Sequence, residues 1–419
     1  MISALSLFVS ISLISTTVSG SAIPSNSSEW SEILADHLFP WKENGISREL
    51  VDATFDYPGS HVIYQYLSGQ WFMYDPEQHC LCNRSHDGSM KYDYHMRRCN
   101  AVISILEAST KTLKASNISI GDFEMVWSVD DLPFWNLVKT ADRQQQILSN
   151  QTTKIIRAYP GFGAVRCPSK GALAFPFYGS HRNWQIDQYL TSDQRYSWRP
   201  VVSFEKRKGA VVFRGSLDRG CSIARDTPYH FDSNVALAPR FNETCGRRQL
   251  LNLSKQYPEL IDYRFNSWIS LENQSDTFRY VISIEGFAGW ADRLEELLAG
   301  NMIVFNQEHP CDQWFEPLLT PYRDFIPVAN DLSNLPGRIL WANSHPNYLQ
   351  RVYRSAKTFA RQYLQREGIL DYSITMLQMY SKLLKYKPER REGAIHLNPG
   401  EGEQRLSPSP LQPPCNGGA

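Results

Sequence analysis

Three stretches of this sequence place chemically capable side chains where apolar runs stop. Asp130-Asp131 follow "FEMVWSV" (Phe123 to Val129), Arg214-Gly215-Ser216 follow Val211-Val212-Phe213, and Glu285-Gly286 follow Tyr280 to Ile284. A carboxylate such as Asp131 at a strand end can act as general base toward a hydroxyl, a role worth roughly 10²–10⁴-fold in rate. The adjacent Asp130 leaves two other uses open: the pair as oxygen ligands of Mg²⁺ or Mn²⁺, or Asp130 as a cap on the Leu132-Pro133 turn. In the second stretch Arg214 and Ser216, with Arg219 and Arg225 in the loop beyond, form either an anion-binding cluster or a solvated turn. In the third, Gly286 and Gly289 permit close backbone approach, the amides near Trp290 and Ala291 open a helix, and Arg293 adds a bidentate cation. The spacing is not that of the dinucleotide GxGxxG motif, and a plain tight turn is the alternative. Two cationic clusters at strand ends suit a diphosphate between them, and a nucleotide is its natural carrier.

The elements that must position these groups can be read from periodicity. "YVISIEGFAGWADRLEELLAGNMIVF" gives a strand at Tyr280–Ile284, a Gly-punctuated turn, an i, i+3, i+4 face of Leu294, Leu297 and Leu298, and a second strand from Met302 to Phe305. That is a βαβ unit and implies a parallel sheet with a right-handed crossover. Val102, Ile105, Leu106 and Leu113 mark a helix from Asn100, Phe123 to Val129 a buried strand, and "DFIPVAND" another strand. Asp331 or Ser333 is expected to cap the helix after it. Two amphipathic runs, Tyr348 to Tyr363 and Ile374 to Leu384, predict core-facing helices. In open α/β sheets ligands bind beyond the carboxyl ends of the strands, where all three stretches fall.

The chain has 419 residues, 42% hydrophobic and 21% charged, with 43 Lys plus Arg against 43 Asp plus Glu. It lacks the overall basic field of a nucleic-acid binder, so anion binding must be local. The start, apolar from Ile2 to about Val18 with Gly20 or Ala22 as cleavage positions, predicts a signal peptide over 1–22; left uncut, it would be the chain's membrane contact. Sequons at Asn26, Asn83, Asn117, Asn150, Asn242, Asn252 and Asn273 and eight cysteines agree with a secretory route and disulfides. Residues 23–100, with the Cys80/Cys82/Cys99 cluster, are expected to form a stapled, loop-rich N-terminal region. Beyond Lys387 the Pro-, Gly- and charge-rich sequence predicts a disordered tail over 388–419, without an ER-retrieval ending.

Together "FEMVWSVDDLP", "SKGALAFPFYGSHRNW", "VVFRGS", "YVISIEGFAGWADRLEELLAGNMIVF", "WFEPLLTPYRDFIPVANDLSNL" and "LDYSITMLQMYSKLLKY" resemble, in order, the CAP10-type glycosyltransferases, which include protein O-glucosyltransferase and capsule xylosyltransferase. The resemblance implies an α/β, GT-B-like fold: two Rossmann-like domains with parallel sheets facing a central cleft. The domains are placed at 101–205 (acceptor side) and 206–345 (nucleotide-sugar side), with C-terminal helices over 346–387. It implies inverting transfer of glucose or xylose from a UDP-sugar to a hydroxyl of a protein or polysaccharide in the lumen of the endoplasmic reticulum or Golgi, or after secretion. The UDP-sugar is a co-substrate, and no cofactor or catalytic metal is expected. Carried over, Asp131 resembles the catalytic base. Ser216, Arg293 and Ala288, Gly289, Trp290, Ala291 and Asp292 resemble donor contacts, and Tyr178 an aromatic near the sugar. Arg225 resembles a further donor arginine, with Arg219 as competitor. The chain departs from the O-glucosyltransferases in lacking a cysteine before "EGFAGW", in a shorter segment between "SKG" and "PFY", and in the tail. A metal-dependent transferase using Asp130-Asp131 and a non-catalytic glycan-binding protein of the same fold stay open as alternatives.

Overall fold

The computed structural model describes residues 27–56, 60–77, 79–80, 94–129, 159–166, 173–177, 202–215, 246–265, 267, 269–286, 293–309 and 311–397. They form a mixed α/β protein built on two sheets.

The second sheet is the one that carries the βαβ unit. Strands β6 (Lys208–Gly215), β7 (Ile261–Phe265), β8 (Phe278–Ser283), β9 (Ile303–Gln307) and β10 (Ile326–Val328) lie in the order β10-β9-β8-β6-β7, all parallel. Tyr280 pairs with Ile303 and Val281 with Val304, as the sequence pattern requires. Alternate residues feed opposite faces. Val211 and Phe213 join one core with Leu250, Ile339 and Leu349, whereas Ala210 and Val212 join another with Leu294, Leu297 and Leu298. A sheet buried on both sides explains why its strands read as continuous apolar runs. The helix after β10 runs Leu335–Ser344, but its N-cap is Asn334 and makes no side-chain cap bond. Asp331, expected as a cap, instead accepts the Ser333 amide at 3.0 Å.

The first sheet has the expected parallel strands in one part and antiparallel strands in the other. Its order is β11-β2-β1-β3-β4-β5, from β1 (His61–Leu67), β2 (Gln70–Tyr74), β3 (Phe123–Ser128), β4 (Gly161–Gly163), β5 (Leu173–Ala174) and β11 (Ile395–His396). Pairing is antiparallel from β11 through β3 and parallel only from β3 to β5. The N-terminal segment is therefore no loop-rich appendage: β1, buried along its whole length, is an interior strand of this sheet. The expected staple is present as the Cys80–Cys99 disulfide, which ties the segment after β2 to the helix Tyr94–Ala115.

The predicted tail is also corrected at its start. Glu124 is 1% exposed in β3, and its carboxylate receives Arg391 Nε and Nη2 (both 3.0 Å), Gln65 Nε2 (2.9 Å) and Tyr386 Oη (2.7 Å). A buried carboxylate needs such partners, and Arg391 is its bidentate cation. That pair, with Ala394 and Leu397 buried beyond it, draws residues 388–397 onto the sheet as β11. Residues 398–419 lie outside those described.

Helices join the two sheets into one core. We number them α1 (Ser27–His37), α2 (Arg48–Phe55), α3 (Tyr94–Ala115), α4 (Gly246–Gln256), α5 (Leu271–Thr277), α6 (Leu294–Ala299), α7 (Leu335–Ser344), α8 (Pro346–Tyr363) and α9 (Arg366–Ser381). Trp30 of α1 packs edge-on against Tyr372 of α9 at 4.9 Å and beside Trp314 at 5.6 Å, and Tyr372 Oη donates to the carbonyl of Ala174 in β5. Arg166 and Asp312 exchange two backbone hydrogen bonds of 2.8 Å, joining the segment after β4 to the one after β9.

Candidate active site

At the carboxyl end of the second sheet, β6 finishes in Phe213, Arg214 and Gly215, each with a distinct task. Arg214 faces away from Phe213 and braces the sheet edge: its Nη1 donates to the carbonyls of Phe213 and Asp262 (both 2.8 Å), and Nη2 lies 2.6 Å from the Asp262 carboxylate. Its charge is thereby paired within the fold.

Arg293, the last residue before α6, starts on the opposite face of the sheet from Phe213. It reaches over the strand end, donates from Nη1 to the Arg214 carbonyl (2.8 Å), and sets its guanidinium 4.9 Å from the centroid of the Phe213 ring. Gly215 makes this crossing possible. A Cβ there would stand 3.0 Å from the Phe213 ring and 3.3 Å from Arg293 Nη2.

A third arginine completes the cluster, and it is one the sequence reading missed. Arg247, in the first turn of α4, lies 5.6 Å from the same Phe213 ring and donates from Nε to the Glu285 carbonyl at 3.2 Å. Glu285 in turn donates its amide to Gln307 Oε1 (3.0 Å), while Gln307 Nε2 donates to Asn330 O (2.6 Å). Gly246 packs the start of α4 against this frame: a Cβ there would meet Gln307 Nε2 at 2.8 Å and Ile284 at 3.2 Å. The ends of β6, β8 and β9 and the starts of α4 and α6 thus bring two guanidinium groups to one aromatic ring. Carbonyls and a ring face orient each guanidinium, and helix N-termini add partial positive charge.

At the carboxyl end of β3 the chain reaches Val129, two residues before Asp131. Arg98 of α3, 4% exposed, donates from Nη1 to the Val129 carbonyl at 2.9 Å and lies 5.5 Å from the Phe177 ring, one residue before Tyr178. Arg98 therefore fixes together the two chain ends from which Asp131 and Tyr178 depart. It escaped the sequence reading because it lies before Asn100, where the helical periodicity begins, in a segment expected to be loop-rich and away from any strand end; the helix in fact starts at Tyr94.

Of the residues singled out in the sequence, Arg293 is described and takes its place in the arginine cluster. Asp131, Tyr178, Ser216, Arg219, Arg225 and Ala288, Gly289, Trp290, Ala291 and Asp292 lie outside the described residues, as does Asp130. Among the described residues no group of three His, Cys, Asp or Glu side chains is placed to hold a metal ion, and no helix is long and apolar enough to cross a membrane.

Comparison with known proteins bears out the resemblance carried by the motifs. The chain is 27% identical to human protein O-glucosyltransferase 1 over 207 residues, 45% of this chain and 51% of the relative. It is 27% identical to mouse protein O-glucosyltransferase 1 over 251 residues, 55% of each chain. With human protein O-glucosyltransferase 3 it shares 25% identity over 161 residues, 35% of this chain and 32% of the relative. The chain thus spans about half, or less, of the length of these relatives. A family match covers residues 242–406, which hold Arg247 and Arg293, and leaves Asp131, Tyr178 and Ser216 outside it. Those residues, with Arg247 and Arg293 among them and the end of β6 outside, match glycosyl transferase family 90.

Proposed function

We propose that this chain is an inverting glycosyltransferase that moves a hexose or pentose from a UDP-sugar to a hydroxyl of a protein or polysaccharide in the secretory pathway. The relatives' names favour glucose as the sugar and protein as the acceptor. The observation that carries this reading is the pair of guanidinium groups, Arg247 and Arg293, on one ring at the carboxyl ends of parallel strands. A diphosphate leaving group needs such charge, fixed before the reaction begins.

In the proposed reaction Asp131 takes the proton of the acceptor hydroxyl, and the oxygen attacks the anomeric carbon from the face opposite the diphosphate. The carbon–oxygen bond to UDP breaks with its electrons leaving on the β-phosphate. Arg293 and Arg247 receive that charge, together with Ser216 and the amides of Ala288, Gly289, Trp290, Ala291 and Asp292, and Tyr178 stands near the sugar. Arg225, or Arg219 in its stead, is proposed to add a further donor contact from the loop beyond Ser216. With cations supplied by the chain, no catalytic metal is required. The sequons at Asn117, Asn252 and Asn273 are all exposed, as glycosylation in the secretory pathway demands.

The test is UDP release from a panel of UDP-sugars by the full chain and by Asp131→Asn, with and without EDTA. One sugar is expected to dominate, with the variant reduced by roughly 10²–10⁴-fold while still binding UDP, and EDTA without effect. Equal rates in the two proteins would overturn the enzyme reading, and a requirement for Mn²⁺ would replace it with a metal-dependent transferase.

A further inference from the structure

We infer that a pocket at the amino ends of the second sheet is a separate binding site for a small organic anion, an aromatic or short apolar body bearing one phosphate or carboxylate. The pocket has a volume of about 270 Å³, close to the lower limit of roughly 300 Å³ for small-molecule sites. Phe204, Ile303 and Leu349 give it apolar walls, and Arg207, Asn301, Gln350, Tyr353 and Arg354 are its polar groups. Its lining contains two arginines and no carboxylate.

Arg207 makes the case for an anion. It is 8% exposed, and its guanidinium is held by two carbonyls, Val202 O from Nε and Asn301 O from Nη1 (both 2.9 Å), and stacks 5.7 Å from the Phe204 ring. Among the described residues no carboxylate pairs with it and nothing accepts from Nη2; Asp276 and Glu205 act on it only through space. Burial pushes its pKa down, the direction expected of a cation short of a counter-ion. An anion beside Nη2 would supply the counter-charge that the two carbonyls do not.

The surroundings add to the positive field. Arg279 stacks on the same Phe204 ring at 5.7 Å with its own donors on the carbonyls of Phe204 and Glu205. Lys357 of α8, 7% exposed, donates to Ala299 O at 2.9 Å, and burial lowers its pKa to about 8, with Arg361 nearby. Tyr353 lies between these cations, its hydroxyl donating to Asn301 Oδ1 at 2.8 Å.

The site is distinct from the proposed donor site. Arg207 precedes β6 and Gly215 ends it, eight residue steps apart, which at ~3.3 Å per residue separates the two ends by about 26 Å.

Isothermal titration of the full chain with phenyl phosphate, inorganic phosphate and benzyl alcohol tests the assignment. Phenyl phosphate is expected to saturate one site per chain, with the other two each at least about tenfold weaker. Arg354→Glu, at the exposed rim, weakens phenyl phosphate about tenfold or more without unfolding; Arg207→Met abolishes binding; Arg293→Ala leaves it unchanged. Should Arg207→Met fail to fold, the rim variant decides alone. Absence of saturable binding, inorganic phosphate as tight as phenyl phosphate, full affinity in Arg354→Glu, or loss of affinity in Arg293→Ala would each overturn the inference.

Discussion

At the carboxyl end of the second sheet, two arginines converge on Phe213 with their guanidinium groups held by carbonyls. At the carboxyl end of β3, Arg98 is turned onto the backbone, and the sequence runs on into two aspartates. The difference separates two uses of the same side chain. Arg214, one residue from Phe213, shows a third, since its ion pair with Asp262 makes it a brace. Under the proposed function the second sheet's end is where negative charge departs and the first sheet's end is where a proton is removed. The cations need orientation, and the carboxylate needs a fixed point of departure.

The comparison is tested most severely at the cationic end. Arg247→Ala and Arg293→Ala are each expected to lower kcat/KM by roughly 10²–10³-fold, as loss of one preorganised donor to a developing charge does, and to weaken UDP binding. Surface plasmon resonance with UDP checks the second point. If Arg247→Ala binds UDP as tightly as the parent chain, Arg247 belongs with Arg214 as a brace and the cluster contains one donor contact.

The next test lies at the junction of the two halves, beside the Arg166–Asp312 pairing. Burial alone pushes the His309 pKa down, but the Glu316 carboxylate 3.1 Å from Nε2, with Asp312 and the Cys311 carbonyl, outweighs it and raises the pKa to about 9. A folded-state value above the unfolded one of about 6.5 means the stabilisation is fully present below pH 6.5 and lost as pH rises through about 9. Asp312, pushed up to about 6 by burial and by Glu316, also favours the acid side, over the range from about 4 to 6. The His309 contribution is at most ~3 kcal/mol. The melting temperature is expected to fall between pH 6.5 and 9, and His309→Gln to flatten that fall. An unchanged slope in the variant would remove His309 from the junction's stability.

At the acidic end the expected effect is smaller. Arg98→Met should lower kcat by about tenfold, equivalent to ~1.4 kcal/mol, and leave UDP affinity unaltered, because the side chain holds the backbone before Asp131 and touches no donor group in the proposed site. A loss of UDP affinity as large as that of Arg293→Ala would erase the distinction between the two ends.

What could be read in advance follows the range of the forces involved. The βαβ unit and Arg293 were legible because hydrophobic periodicity and a Gly-punctuated turn are local signals. Arg247 was not: it sits in "CGRRQLL", where no apolar strand stops, and Phe213 is brought to it by the β6–β7 pairing. The order of residues 388–397 was hidden for a similar reason. Their composition predicts a disordered chain, yet Arg391 answers a carboxylate 267 positions away that is buried only once β1 and β3 have paired. The mixed pairing of the first sheet was likewise invisible, since β1, "HVIYQYL", is buried on both faces and carries no alternation to mark a strand.

Gly215 supplies the finest test. Its neighbours at the hypothetical Cβ are the Phe213 ring at 3.0 Å and the end of the Arg293 side chain at 3.3 Å, each of which must give by a few tenths of an ångström. Gly215→Ala should therefore cost no more than about 1 kcal/mol of stability, within the ordinary range for single substitutions. The displaced groups are the ring that receives both guanidinium groups and one of those groups itself, so UDP affinity should fall several-fold with kcat against the best sugar changed less. A variant that lost stability and kept its UDP affinity would show that Phe213 is only packing. A variant that lost affinity while melting as the parent does would show that the missing side chain at the end of β6 exists to let Arg293 cross the sheet.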